Sequence, residues 1–352
     1  MDEQSADAFA ERLFGAGLGT VDVLTVYIGD RLGYYAALAD ADALTPAELA
    51  TKTGTNERYA REWLEQQAVT GIIDASGSSF SLPPAHAEVL TEPDNLAAMA
   101  WLPRLLVSGA QALPKILEAF RTGGGVSWSD FGADAIEGQA DQNRPVFEHL
   151  LTKEWLPSIP DVEERLRRAG ARVADVCCGA GLSSIAIARD YPEAAVDGFD
   201  LDPMSIGLAK QNAKNAGLSD RLSFEVRDAA DPAHAGLYDV VLVFESIHDL
   251  SQPVEVLRAM RTLAKPDGAV IVMDERVADS FTAPGDEVER LMYGYSVLLC
   301  LPAGMADKPS AETGTVMRTD TMRAYASEAG FKEVEVLPIE HAFFRFYRLH
   351  WA

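Results

Sequence analysis

The sequence predicts an α/β fold: a doubly wound, mostly parallel sheet with a closing antiparallel hairpin, preceded by a mainly helical winged-helix domain. Three observations carry that reading. From Arg172 onward, apolar runs alternate with helical stretches (RVADVCC, AVDGFDLD, LSFEVRDA, YDVVLVFES, AVIVMDE), the rhythm of a parallel sheet with helices on both faces. Glu333 to Ile339 and Phe343 to Leu349 then read as two strands joined by a short turn, which closes the sheet as a hairpin. Ahead of all this, residues 42–90 carry the signals of two short helices and a small wing.

The elements are expected in this order. From Ala6 to Leu38 apolar residues recur at three and four (Phe9, Leu13, Leu24, Ile28, Leu32, Tyr35), giving amphipathic helices broken near Gly15 to Gly19. Thr45 caps a helix that begins at Pro46 and ends at Gly54, and Thr55 caps a second that turns Tyr59, Trp63 and Leu64 inward. Ile72 to Asp74 and Ser79 to Leu82 flank a Gly-Ser turn and form the wing. The chain therefore divides into a helical and winged-helix dimerisation domain at 1–90, a helical connector and pocket roof at 91–165, and an α/β domain at 166–352. In the connector, Trp128, Phe131, Phe147 and Trp155 are core residues singly and a pocket roof collectively. A stretch apolar at helical spacing, 291–301, is core, dimer contact or substrate wall.

Charge narrows the partners. A net charge of −24 repels polyphosphate and anionic membrane surfaces, so neither nucleic acid nor a membrane is an expected partner. A winged helix invites a DNA-binding reading, but between Asp42 and Leu90 three basic residues face seven acidic ones, a net charge of −4 where a groove reader is basic. Three cysteines, Cys177, Cys178 and Cys300, show no CxxC spacing, so no metal site is expected and a reducing compartment fits. The acidic start MDEQSADAFAERLF is no secretory signal. The longest uncharged stretch, Leu291 to Ala306, falls short of the ~20 residues of a membrane span. A cytoplasmic protein is expected.

Chemistry is carried at strand ends. Asp175-Val176-Cys177-Cys178-Gly179-Ala180-Gly181 sits where the first parallel strand turns into its helix, and glycines there let the backbone approach a ligand beside a helix N-terminus. Asp200 ends the second strand nineteen residues beyond Gly181, a spacing suited to accepting hydrogen bonds from ribose hydroxyls; Asp202 is close enough to be confused with it. Asp228-Ala229 follows the third strand, where a carboxylate meets an adenine amino group. Three acids at the ends of successive strands point to one nucleoside crevice.

These residues resemble the class I methyltransferases that use S-adenosyl-L-methionine, over about residues 170 to 349. That family opens its site with DxGxGxG; here the run is DVCCGAG, with Cys177 in place of the first glycine. The resemblance implies that Asp175, Cys177, Gly179 and Gly181 line the cofactor, Asp200 holds its ribose, Leu201 packs on adenine, Asp228 and Ala229 meet the adenine edge, and Phe244 borders the same site. The run Phe244-Glu245-Ser246-Ile247-His248-Asp249-Leu250 looks like the LHDW stretch of two-domain O-methyltransferases, with Leu250 replacing tryptophan. It implies that His248 is a general base and Glu275 its acidic partner; His341 is a weaker second candidate. The winged helix occurs in the same group, and ERYAREWLEQQAVTG, MDERVAD and RPVFEHLLTKEWLP look like a set of actinobacterial methyltransferases.

The expectation is a homodimeric methyltransferase acting on a small-molecule substrate at oxygen, with nitrogen and carbon as the other acceptor atoms. A nicotinamide dehydrogenase is disfavoured because GxGxxG read from Gly179 finds Gly181 but then Ser184. A winged-helix protein binding S-adenosylmethionine for regulation, or for non-methylating chemistry, is the alternative.

Overall fold

A computed structural model describes residues 5–228 and 235–351, and two compact units are apparent, Met1–Val107 with Glu137–Pro145 and Ser108–Ile136 with Val146–Ala352. The boundary expected near residue 90 thus falls inside the first unit, and the helical stretch 91–165 contributes to both.

The first unit opens with α1 (Ala6–Arg31), capped by Ser5, whose hydroxyl accepts from the Ala8 N–H at 3.1 Å. The expected break at Gly15 to Gly19 does not occur. A mid-helix glycine costs about 1 kcal/mol but keeps its N–H, so the ladder continues. The face of α1 bearing Phe9, Leu13, Phe14, Leu18 and Val21 is exposed, and by length and composition α1 is apolar enough to cross a membrane, unlike the 291–306 stretch.

After α2 (Tyr34–Ala39), α3 (Pro46–Thr53) begins with a reciprocal capping box between Thr45 and Glu48 and ends at Gly54 in the left-handed conformation. The cap of α4 (Glu57–Val69) is Asn56 rather than Thr55: its side chain accepts from Arg58 N–H at 2.9 Å, while Thr55 receives the Tyr34 hydroxyl. Ala60, Trp63, Leu64 and Gln67 form the buried stripe of α4; Tyr59 lies one position off it and is 77% exposed, not inward as expected. Trp63 meets Tyr34 and Tyr35 edge-on at 4.8 and 5.1 Å, over Gly29, where a Cβ would stand 2.3 Å from the indole. The wing is β1 (Asp74–Ser76) paired antiparallel with β2 (Ser79–Ser81), followed by α5 (Pro84–Thr91). Helices α6 (Trp101–Thr122) and α7 (Ala133–Val146) contribute to both units.

The second unit holds a π-helical continuation of α7 at Phe147–Trp155, α8 (Pro160–Leu166), and a seven-stranded sheet. In chain order come β3 (Arg172–Val176), α9 (Leu182–Asp190), β4 (Ala195–Asp200), α10 (Pro203–Asn215), β5 (Leu222–Val226), β6 (Tyr238–Phe244), α11 (Pro253–Leu263) and β7 (Ala264–Glu275). An insertion follows, α12 (Glu287–Tyr295), a π-helical turn Ser296–Cys300 and α13 (Leu301–Gly304), then α14 (Thr319–Glu328), β8 (Glu333–Val336) and β9 (Phe344–His350). The strand order is β5-β4-β3-β6-β7-β9-β8, parallel through β7 and antiparallel at β9 and β8. Every residue of β6 is buried, as a central parallel strand covered on both faces requires. Met292, Tyr295 and Leu299 of the insertion are buried, whereas Tyr293 and Val297 are exposed.

Candidate functional site

The sheet reverses its winding between β3 and β6, and ligands of open α/β sheets bind at the carboxyl ends of strands beside such a switch. The β3 loop lies there. Cys177, Gly179 and Gly181 all have left-handed backbones, with φ of 57°, 51° and 73°. At Gly181 a Cβ would come within 2.7 Å of the Phe224 ring and 2.9 Å of Ala209, so only glycine lets α9 start against β5. At Gly179 a Cβ would meet no described atom within 4 Å, which leaves the backbone bare toward the crevice. Cys177 adopts the glycine-like conformation without being one.

Two acids frame this loop. Asp175 is buried, its Oδ2 accepting from Ser183 and Ser184 at 2.6 Å each, while Oδ1 has no hydrogen-bond partner among the described residues. Burial pushes its carboxyl up to about 6 against the pull of the two serines. Asp200 accepts from the Gly179 N–H on Oδ2 and from the Asp202 N–H on Oδ1, both at 2.9 Å. Oδ2 is thereby aimed at the β3 loop, and burial holds the carboxyl above the ordinary range despite those bonds. Asp202 caps α10 through the Ser205 N–H at 2.7 Å.

Leu201 is 63% exposed beside Asp200. Asp228 lies exposed just past β5. Ala229, the other residue expected there, lies outside the described residues. Phe244 ends β6 against Phe147, ring centroids 5.3 Å apart.

Across the switch, a one-turn helix at Ile247–Asp249 carries His248, and its Nδ1 stands 2.7 Å from Asp274 Oδ1. The acidic partner of the histidine is Asp274, in place of Glu275. The reason is strand alternation: Asp274 shares a face of β7 with Val270 and Val272, and Glu275 the opposite face with Ile271 and Met273. Burial opposes the imidazolium, but the charge and hydrogen bond of Asp274 outweigh it, with Cys300 acting in the same direction, so the imidazole is held well above 6.5. The Cys300 thiol, beside the same ring, is raised by burial and stays neutral.

Glu275 is also buried, and burial followed by the Glu245 charge holds it well above the usual carboxylate range. Glu245 comes off β6 with φ of 50°, its N–H on Met273 O at 2.8 Å, so the two glutamates leave neighbouring strand ends. His341, the weaker histidine, is stacked on Phe344 at 4.7 Å with Trp155 edge-on at 5.4 Å; burial and then Arg276 lower its pKa. Asp274, Glu245, Cys300 and the two serines were not singled out from the sequence. The only signal for Asp274 was its parity with Val270 and Val272 along a strand.

Residues 167–309 match a methyltransferase domain family, and residues 20–92 match the Rv2258c-like winged HTH domain. Among curated relatives, a ubiquinone biosynthesis O-methyltransferase of Marinobacter nauticus is 32% identical over 148 residues, 38% of this chain and 61% of that protein. One of Xanthomonas axonopodis pv. citri is 34% identical over 113 residues, 32% of this chain and 46% of its own length. The chain thus spans roughly half the length of the curated relatives it matches. Similar solved structures include the mitomycin 7-O-methyltransferase MmcR (20% identity, TM-score 0.70, covering 99% of each chain) and human N-acetylserotonin methyltransferase (16%, 0.71, 100% of each). LaPhzM is likewise similar (20%, 0.74, 97% of this chain and 99% of its own). At these identities the likeness concerns the fold.

Proposed function

We infer, for a chain that carries a methyltransferase domain behind a winged helix-turn-helix domain, that it transfers the methyl group of S-adenosyl-L-methionine to a hydroxyl oxygen of a small molecule. One arrangement carries this reading: the buried His248–Asp274 pair stands at the carboxyl ends of β6 and β7, on the sheet edge where Asp200 is turned toward the β3 loop. The residues fit the cofactor. Gly179 leaves open space for a nucleoside, Asp175 keeps an oxygen without a partner among the described residues, and Asp200 offers an oriented carboxylate for ribose hydroxyls. Leu201 would cover the adenine and Asp228 would receive its amino group.

When bound, the cofactor supplies an electrophilic methyl on a sulfonium. The chain's own part is positioning and proton removal. Asp274 accepts a hydrogen bond from Nδ1–H and so leaves Nε2 as the basic nitrogen, able to take a hydroxyl proton as the oxygen attacks. Phe147 and Phe244 help to wall the crevice from water.

The exposed apolar face of α1 supports a homodimer formed through that helix, and the charge of −24 supports a cytoplasmic role away from nucleic acid and anionic membranes. The test is formation of S-adenosylhomocysteine that depends on an added phenol or alcohol. Cofactor binding without any such turnover would favour a regulatory role.

A further inference from the structure

Near the proposed base lies a group of polar atoms that proton removal does not use. Glu275 Oε2 and the Tyr295 hydroxyl are buried, and neither has a hydrogen-bond partner among the described residues. The Tyr295 phenol, at the end of α12, is raised by burial and then by the charges of Glu275, Cys300 and Glu245, so it belongs to the same cluster. Buried polar atoms left unpaired cost about 1–3 kcal/mol each, which makes such a cluster costly unless a ligand completes it.

The sign of the missing ligand follows from the charges. Besides burial, Glu275 feels Glu245, His248, Asp274 and Asp249, and of these four only His248 can be positive. A carboxylate would add a further negative charge beside Glu245 and Glu275, whereas a cation lets Glu275 release the proton that burial and Glu245 hold on it. An N–H donor bearing positive charge satisfies Glu275 Oε2, gives the Tyr295 oxygen a donor, and relieves the repulsion between Glu245 and Glu275. The field of a chain at −24 also raises the local concentration of cations.

We propose that Glu245, Glu275 and the Tyr295 hydroxyl form a subsite for a positively charged nitrogen on the methyl-accepting molecule, so that the substrate class is a hydroxylated amine. This rests on the methyl-transfer reading above.

The test uses the full chain saturated with S-adenosylhomocysteine and three phenols of similar size: tyramine, tyrosol and 4-hydroxyphenylacetate, with ammonium, hydroxyl and carboxylate arms. Calorimetric titration should give tyramine an affinity at least ~10-fold above the other two, the scale of one charge-assisted hydrogen bond. Glu275→Gln should erase that preference. Tyr295→Phe, which removes only an unpaired hydroxyl and should fold normally, should weaken tyramine severalfold without touching the cofactor. Equal binding of the three phenols, no tyramine binding, or a preference kept in both variants overturns the proposal. So does loss of S-adenosylhomocysteine affinity in Glu275→Gln, which would assign the carboxylate to the cofactor. Failure of the reading on which this rests shows separately: no heat from the cofactor product before any phenol is added removes the cofactor, and binding without S-adenosylhomocysteine formation from S-adenosylmethionine and any of the phenols removes methyl transfer.

Discussion

His248 Nδ1 and Asp274 Oδ1 lie 2.7 Å apart with both side chains almost fully buried, and the proposed general-base role of His248 rests on this pair. General-base assistance is typically worth ~10²- to 10⁴-fold, so His248→Ala should lower turnover of an alcohol or phenol by about that factor while leaving cofactor affinity intact. Asp274→Asn should cost a similar order, because an amide no longer fixes the proton on Nδ1. The pH profile separates this from a structural loss. Asp274 favours the charged imidazole, so the basic form accumulates as pH rises, and kcat/KM should climb through the alkaline side of neutrality. In Asp274→Asn the climb should move to lower pH. A wild-type profile flat between about pH 6 and 9 would remove His248 from the chemistry.

Cys177 adopts a left-handed backbone at φ 57°, where the related motif has glycine. A side chain there costs roughly 1–2 kcal/mol, against the smaller entropy that glycine adds to the unfolded chain. Cys177→Gly should therefore be more stable than Cys177→Ala by about 1 kcal/mol in urea unfolding, the reverse of the order inside a helix. Alanine equal to or better than glycine would show that the loop relaxes.

Gly181 and Gly179 should separate stability from binding. Gly181→Ala forces a Cβ into Phe224 and Ala209 at positive φ and should cost about 2 to 4 kcal/mol. Gly179→Ala carries the backbone cost alone, about 1–2 kcal/mol, yet places a methyl in the space assigned to the nucleoside, so it should weaken S-adenosylhomocysteine strongly. Unchanged affinity in Gly179→Ala would move the nucleoside elsewhere.

Much of this was legible in the sequence where a local rule decides. The alternation of strands and helices after Arg172, the closing hairpin, the Thr45 cap and the acid at Asp200 each follow from spacing or from one residue's chemistry. What was not legible depends on partners distant in the chain. Glu275 and Asp274 are adjacent in sequence, and only the packing of β7 between two cores decides which one meets His248. The π-helical turn that brings Cys300 beside that histidine has no local signature, and the continuity of α1 through Gly15, Gly17 and Gly19 reflects a preference too weak to break a capped helix.

The dimer proposal is tested on α1. Its last turns are fixed by Gly29 under Trp63, whereas Phe14 and Leu18 are 70% and 53% exposed. Phe14→Glu with Leu18→Glu should leave the fold intact and convert a dimer to a monomer in light scattering. A double variant that remains dimeric would place the contact on another surface.

The central claim is that the crevice at the β3–β6 switch holds S-adenosylmethionine, and thermal unfolding with its demethylated product tests it most directly. At a ligand concentration a hundredfold above its dissociation constant, S-adenosylhomocysteine should stabilise the protein by about 2.7 kcal/mol, and NADH should have no effect. In Asp200→Ala most of that stabilisation should vanish, since a charged acceptor worth ~1.5 to 3 kcal/mol is lost together with the bond that holds the Gly179 N–H. A shift with NADH and none with S-adenosylhomocysteine would contradict the account.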